Sequence, residues 1–349
     1  MNIAFLLPCG AVALLSLLAC GDGTTAAEAS TTVSGPQDPA PKPLPRVRID
    51  HETVRRLFAK DPSAEEVDNP LTPEKVALGR AIYHDTGLSK DGATSCASCH
   101  DLGKHGIDGK SAGPGGRNTP PTWNAARQFR QFWDGRMATV EELAVAHALD
   151  ANGLGLADEG ELVAKLKAKP ELVEGFGKAF GGGEAVTTAN YRLAVGAFLR
   201  SLTTRSRWDD YLGGKDQDGK DVAGNTRALT NDELFGLKAF MDVGCMTCHV
   251  GRLVGGHMYQ KTGVLKPYPS KDEGRFLLTQ SDADKSFFKV PSLLNVEKTG
   301  PYLHDGKVGT LEEVVKLMAD IQLGKQLTDD QVRGIVAFLK ALTGELPAK

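Results

Sequence analysis

Two copies of one five-residue pattern, Cys96-Ala97-Ser98-Cys99-His100 and Cys245-Met246-Thr247-Cys248-His249, constrain this chain more than any other feature. Cys-x-x-Cys-His is the attachment signature of c-type haem. Its spacing lets two thiols bond to the two vinyl groups of one porphyrin while the adjacent histidine approaches the iron. A shared zinc site or two short-loop disulfides are the alternatives. Zinc draws four ligands into one tetrahedron and needs no histidine after each pair. Of the six cysteines, only Cys9 and Cys20 lie outside the two motifs, and both sit in the first 20 residues. The expectation is therefore two covalent haems, held by Cys96, Cys99 and His100 and by Cys245, Cys248 and His249.

The motifs lie 149 residues apart, and similar sequence precedes each. Leu71-Thr72, Glu74, Gly79, Ala81 and Tyr83 lead to the first. Leu229-Thr230, Glu233, Gly236, Ala239 and Phe240 lead to the second. The unit is a capped helix running into the haem motif, and its recurrence is an internal repeat. Thr328-Asp329-Asp330-Gln331 opens another helix, and Tyr191, Val195, Phe198 and Leu199 mark one more. The reading is a mainly α fold of two cytochrome c-like domains joined by long loops, covering 49–215 and 225–349. The break falls in the Gly/Asp/Lys-rich stretch Gly213 to Asn225.

Residues 3–19 are apolar or small, which reads as a signal peptide covering 1–19. Leu17-Leu18-Ala19-Cys20-Gly21 resembles a lipobox, making Cys20 the expected lipidated N-terminus on the periplasmic side of a bacterial membrane. The Pro-rich segment 20–48 reads as a tether. No other stretch approaches the roughly 20 apolar residues of a membrane span. The net charge of −3 excludes the basic stripe of a nucleic-acid binder.

The ordered blocks around the motifs are similar to those of the bacterial di-haem cytochrome c peroxidase family, which includes MauG-like proteins. These blocks are Leu78-Gly79-Arg80-Ala81-Ile82-Tyr83, Arg117-Asn118-Thr119-Pro120, Phe132-Trp133-Asp134-Gly135-Arg136 and Gly274-Arg275-Phe276. Pro291 to Val296, Thr299 to Gly306 and Gln322 to Lys325 continue the likeness. The resemblance implies a peroxide-reactive haem on His100 and an electron-entry haem on His249, with Met318 as its distal ligand. MauG-like members carry Tyr at that place, so Met318 favours the peroxidase branch. Trp133 falls where the family has a Trp between the haems. Asn118, Thr299 and Pro301 match the family's inter-domain Ca²⁺ site, and His304 a structural or haem-adjacent His. The implied reaction is reduction of hydrogen peroxide by a small donor cytochrome c or cupredoxin, in a chain whose relatives are often homodimers. An electron carrier or sensor without peroxidase activity, and a MauG-like oxidase of a protein side chain, are the competing readings.

Two positions depart from the family. The loop Gly109 to Gly116 lacks the histidine that ligates the resting first iron in many members. His105 is expected to face solvent, and that iron to be five-coordinate or water-bound without reductive activation. The family's distal Glu, which moves a proton over the peroxide, aligns with Gly153 or Leu154. Asp150, His147 and Glu159 are the candidate substitutes, with Asp150 placed beside Trp133 among the catalytic residues.

Overall fold

The computed structural model describes residues 42–61, 68–113, 115–215 and 220–347. The expected signal peptide, lipidated Cys20 and most of the tether lie outside the described residues. Helices dominate. In chain order they are α1 (His51–Phe58), α2 (Pro73–His84), α3 (Cys96–Cys99), α4 (Val140–Leu149), α5 (Glu159–Lys167), α6 (Pro170–Phe180), α7 (Thr188–Ser201), α8 (Arg207–Leu212), α9 (Asn231–Val243), α10 (Phe276–Thr279), α11 (Leu311–Leu323) and α12 (Asp329–Ala341). The strands form short antiparallel pairs, of which Tyr259–Lys261 with Phe287–Lys289 places Gln260 opposite Phe288. Among the described residues no helix is long and apolar enough to cross a membrane.

The sequence repeat has a packing cause. Thr72 caps α2 by accepting from Lys75 N, with Pro73 at the first helical position. Thr230 and Glu233 form a reciprocal capping box on α9. Each helix then crosses a partner at a glycine. A Cβ on Gly79 of α2 would stand 2.1 Å from the Ala194 carbonyl oxygen of α7. A Cβ on Gly236 of α9 would stand 1.8 Å from the Gly334 carbonyl oxygen of α12. The repeated glycine thus lets two backbones touch, once in each half.

Two hydrophobic clusters surround these crossings. The first gathers Leu78, Ile82 and Tyr83 of α2 with Tyr191, Val195, Phe198 and Leu199 of α7, and adds side chains of α4, α5 and α6. The second gathers Leu237 and Phe240 of α9 with Ile335, Phe338 and Leu339 of α12 and with Leu311 and Val315 of α11. Full burial of each such side chain is worth roughly 1.5–3 kcal/mol. The expected first domain, 49–215, includes α1 and α8 at its ends. In the structure Val54 and Phe58 of α1 and Trp208, Tyr211 and Leu212 of α8 pack in the second cluster instead. Phe58 meets Trp208 edge to face at 5.3 Å, and Trp208 meets Phe338 at 5.4 Å. Their apolar spacing alone does not say which half they serve, because both halves offer a helical core.

Candidate functional site

The first motif forms a single helical turn, α3, opened by a Ser95–Ser98 capping box and closed by His100. The Tyr83 hydroxyl donates to the His100 carbonyl at 2.6 Å, tying the motif to α2. His100 Nδ1 pairs with the Gly106 carbonyl at 3.1 Å, which leaves Nε2 as the nitrogen for a metal. Burial lowers the His100 pKa, despite the Gly106 and Pro120 carbonyls, and so favours the neutral, ligating imidazole. Burial likewise pushes the Cys96 thiol up to about 12. Cys96, Cys99 and His100 line one cavity of about 580 Å³ together with Tyr191, Val195 and Leu199. That volume lies within the ordinary range for small-molecule and cofactor sites.

The second motif repeats this arrangement. α9 ends at Gly244, whose left-handed φ of 107° turns the chain into Cys245. His249 Nδ1 pairs with the Val254 carbonyl at 3.2 Å, and burial brings the His249 pKa down to about 4. Cys245, Cys248 and His249 line a smaller cavity of about 210 Å³ with Phe240, Ile335 and Leu339. Met318 of α11 lines the same cavity. No disulfide joins the four motif cysteines. Each half thus presents two thiols and a neutral imidazole to an apolar hollow, a donor set that fits a covalently attached haem.

Trp133, Pro120, Pro121, Lys289 and Pro291 line both cavities and so form a shared wall. The Trp133 indole donates to the Asn118 carbonyl at 2.8 Å, and the Trp133 carbonyl accepts from Lys289 N at 2.8 Å. Lys289 itself is buried, with its ammonium donating to Gln128 Oε1. Burial brings its pKa down to about 8. Sequence reasoning missed Lys289, although one cation within Phe287-Phe288-Lys289-Val290 is a visible signal.

The groups above the first motif are organised by a chain of ion pairs. Arg117 grips Asp272 at 2.6 and 2.8 Å and Asp134 at 2.8 Å. Arg136 joins Asp134 at 2.9 Å to Asp150 at 3.3 Å. Asp150 also accepts from Asn152 N at 2.9 Å, so its carboxylate is already engaged while it lines the cavity. His147 lines the same cavity, whereas Glu159 is exposed on α5 outside that lining. Gly153 explains the displaced Glu position: a Cβ there would stand 2.0 Å from the His147 carbonyl oxygen. His105 does not face solvent as expected. It is half-buried in a turn with φ 57°, and its Nε2 is screened from solvent without a partner.

Asn118 and Pro301 meet across 183 residues of sequence. The Asn118 amide donates to the Pro301 carbonyl at 2.6 Å and to the Leu303 carbonyl at 3.1 Å. Thr299 lines the same cavity. An ion here would take the amide oxygen in place of the nitrogen, which a side-chain flip supplies. His304 stacks on Phe288 at 4.0 Å, and its Nε2 pairs with Ser270 Oγ at 2.9 Å.

A family model described as di-haem cytochrome c peroxidase matches residues 73–217. The cytochrome c551 peroxidase of Nitrosomonas europaea is 40% identical over 290 residues, spanning 79% of this chain and 83% of that protein. The cytochrome c551 peroxidase of Pseudomonas aeruginosa is 36% identical over 321 residues, spanning 87% and 89%. Among solved structures, a MauG-like protein associated with microbial copper homeostasis superimposes with a TM-score of 0.67 at 27% identity, over 81% of this chain and 93% of that one.

Proposed function

This chain belongs to the di-haem cytochrome c peroxidase family, and from that premise we propose that it reduces hydrogen peroxide to water with electrons from a small periplasmic cytochrome c or cupredoxin. The observation that carries the reading is the pair of unlike cavities behind one wall. One offers His249 with Met318 facing the same hollow, and the other offers His100 beneath a polar, ion-paired roof. Peroxide takes two electrons and each donor supplies one, so a protein that stores one while using another needs two centres.

Cys96, Cys99 and His100 would hold the peroxide-reactive haem, and Cys245, Cys248, His249 and Met318 the electron-entry haem. When bound, these haems supply one-electron transfer and the iron at which the O–O bond is cleaved. The protein supplies the rest. Gly106 and Val254 carbonyls orient the two imidazoles and raise their basicity. Trp133 spans the wall between the cavities and shortens the path for an electron. Asp150, paired with Arg136, lines the first cavity and would serve there as the acid/base group.

Asn118, Thr299 and Pro301 belong in this reading as a Ca²⁺ site that fixes the wall. The exported, Cys20-anchored form and a homodimer remain part of it. Gly153 in place of the distal Glu favours one alternative, a di-haem electron carrier without peroxidase activity.

Steady-state peroxide consumption with a reduced donor, alongside spectra of the oxidised and half-reduced holoprotein, separates the two. Turnover by the half-reduced form is expected. A half-reduced protein whose spectrum and donor remain unchanged by peroxide would refute the reading.

A further inference from the structure

The ring of His147, in the last turn of α4, faces the ring of His100 across the first cavity. The ring centroids are 6.4 Å apart and the planes are inclined at 69°. That separation matches an axial ligand pair. Two metal–imidazole bonds of about 2 Å set the ligating nitrogens ~4 Å apart, and with each nitrogen ~1 Å from its ring centre the centroids of an axial pair lie ~6 Å apart. A histidine acting instead on an iron-bound oxygen needs that oxygen and a hydrogen bond of ~3 Å in between, which moves the centroids to ~9 Å. The observed spacing is that of a ligand rather than of a base.

The surroundings of His147 support the same role. A Cβ at Gly153 would stand 3.0 Å from His147 Nδ1, so Nδ1 faces Gly153 and Nε2 projects from the opposite edge of the ring. The His147 carbonyl accepts from Leu154 N at 3.1 Å, which fixes the helix end against the Ala151–Gly155 turn. The tight 2.0 Å approach of Gly153 to the residue-147 carbonyl accounts for the small residue at 153. With the backbone of residue 147 in this place, whatever its side chain, there is no room for a Cβ at 153.

Building on the peroxidase reading, we propose that His147 is the sixth ligand of the iron held by His100 in the fully oxidised protein. The iron expected to be open from the missing loop histidine is instead closed from α4. With the haem bound, the His147 imidazole would have to leave that iron, carrying its lone pair, before peroxide could reach it, and the exchange would involve no change in oxidation state. His147 is thus a gate on substrate entry, carried by a helix end rather than by the Gly109 to Gly116 loop.

Electron paramagnetic resonance and near-infrared magnetic circular dichroism of the wild-type diferric holoprotein test this directly. Two low-spin irons are expected, one with a bis-imidazole signature and one with a histidine–methionine signature. A high-spin first iron in the wild-type protein would overturn the proposal, whatever any variant does. His147→Ala should convert one iron to high spin, and added imidazole should restore the low-spin signal. An unchanged spectrum in that variant would also refute the assignment. Cyanide reads the gate without turnover: if His147 is released in under ~10% of molecules, removing it tightens cyanide binding roughly tenfold or more. Unchanged cyanide affinity would count against the gate. The two readings fail separately. A high-spin first iron with normal turnover removes the His147 ligand alone, and a bis-imidazole iron with no turnover in any redox state removes the peroxidase alone.

Discussion

Replacing Gly236 with alanine should weaken the whole protein, although alanine is the better helix former. The exchange favours an isolated helix by roughly 1 kcal/mol. At this position the new methyl would meet the Gly334 carbonyl oxygen at 1.8 Å and its carbon at 2.3 Å. Ordinary contact starts at 3.4 Å, so α9 and α12 must part by ~1.6 Å. A radial gap of 0.5–1 Å already forfeits roughly a quarter to a half of a dispersion contact. The seam so opened carries Leu237, Phe240, Ile335, Phe338 and Leu339, each buried to within a few per cent. With each worth roughly 2 kcal/mol, losing that share of their packing outweighs the propensity gain. Gly236→Ala should therefore destabilise by about 3 kcal/mol, within the range of severe overpacking. Gly79→Ala, whose methyl would meet the Ala194 carbonyl oxygen at 2.1 Å, should act in the same direction. Gly177→Ala on α6 is the control, because a Cβ there meets nothing within 4 Å; it should stabilise by roughly 0.5–1 kcal/mol. Guanidinium titration of the holoprotein, followed by far-ultraviolet circular dichroism, measures all three. A Gly236→Ala midpoint equal to or above that of Gly177→Ala would refute the close-crossing argument.

Three further outcomes follow from the same structure. Met318→Ala should remove the histidine–methionine signature of the second haem and lower its reduction potential; an unchanged spectrum in redox titration would show that Met318 is ordinary core. Trp133→Phe should slow peroxide turnover while both haem spectra stay as in the wild type, and equal rates under saturating donor would remove the indole from the electron path. Burial opposes the charged Glu141 carboxylate, yet Arg200 at 2.7 and 2.9 Å and Asn69 at 3.0 Å hold its pKa below the ordinary glutamate value. A depressed carboxyl stabilises above its unfolded pKa and loses that contribution as pH falls through the folded value. Wild-type stability should thus decline below pH 4.5. Arg200→Met, which strands the buried Glu141 charge, should cost about 3–5 kcal/mol at pH 7. That deficit should shrink on acidification as Glu141 takes up a proton, and a pH-independent deficit in urea titrations would contradict this account.

The parts legible in the sequence were those with a local cause. Thr72, Thr230 and Thr328 each cap the helix their spacing announced, because a capping hydroxyl acts on amides within three residues. The repeated Gly79 and Gly236 were visible as a pattern, but the backbone each one touches was not, since Ala194 and Gly334 lie about a hundred residues away. The same limit explains α1 and α8. Val54, Phe58 and Trp208 have ordinary core spacing, and only the tertiary structure shows that they serve the second cluster. His105 was misjudged for a related reason: a loop histidine five residues past a motif reads as exposed unless the packing above it is known.

The distal side of the first cavity shows how far such reasoning reaches. From residue types alone, Asp150, His147 and Glu159 were all candidate replacements for a missing Glu, with Asp150 preferred. The structure separates them by what each is free to do. Glu159 is outside the cavity, Asp150 is bound into the Arg136 pair, and His147 keeps a ring edge toward the cavity while Gly153 crowds its carbonyl. A small residue at 153 therefore looks like a lost catalytic acid in the sequence and, in three dimensions, is a place where the chain passes too close to the residue-147 carbonyl to carry a Cβ. Restoring the acid by Gly153→Glu alone should accordingly fail to rescue anything, because its Cβ has no room until the His147 helix end moves. Changing residue 147 as well leaves that carbonyl in place, so the double variant should fail in the same way unless the helix end itself shifts.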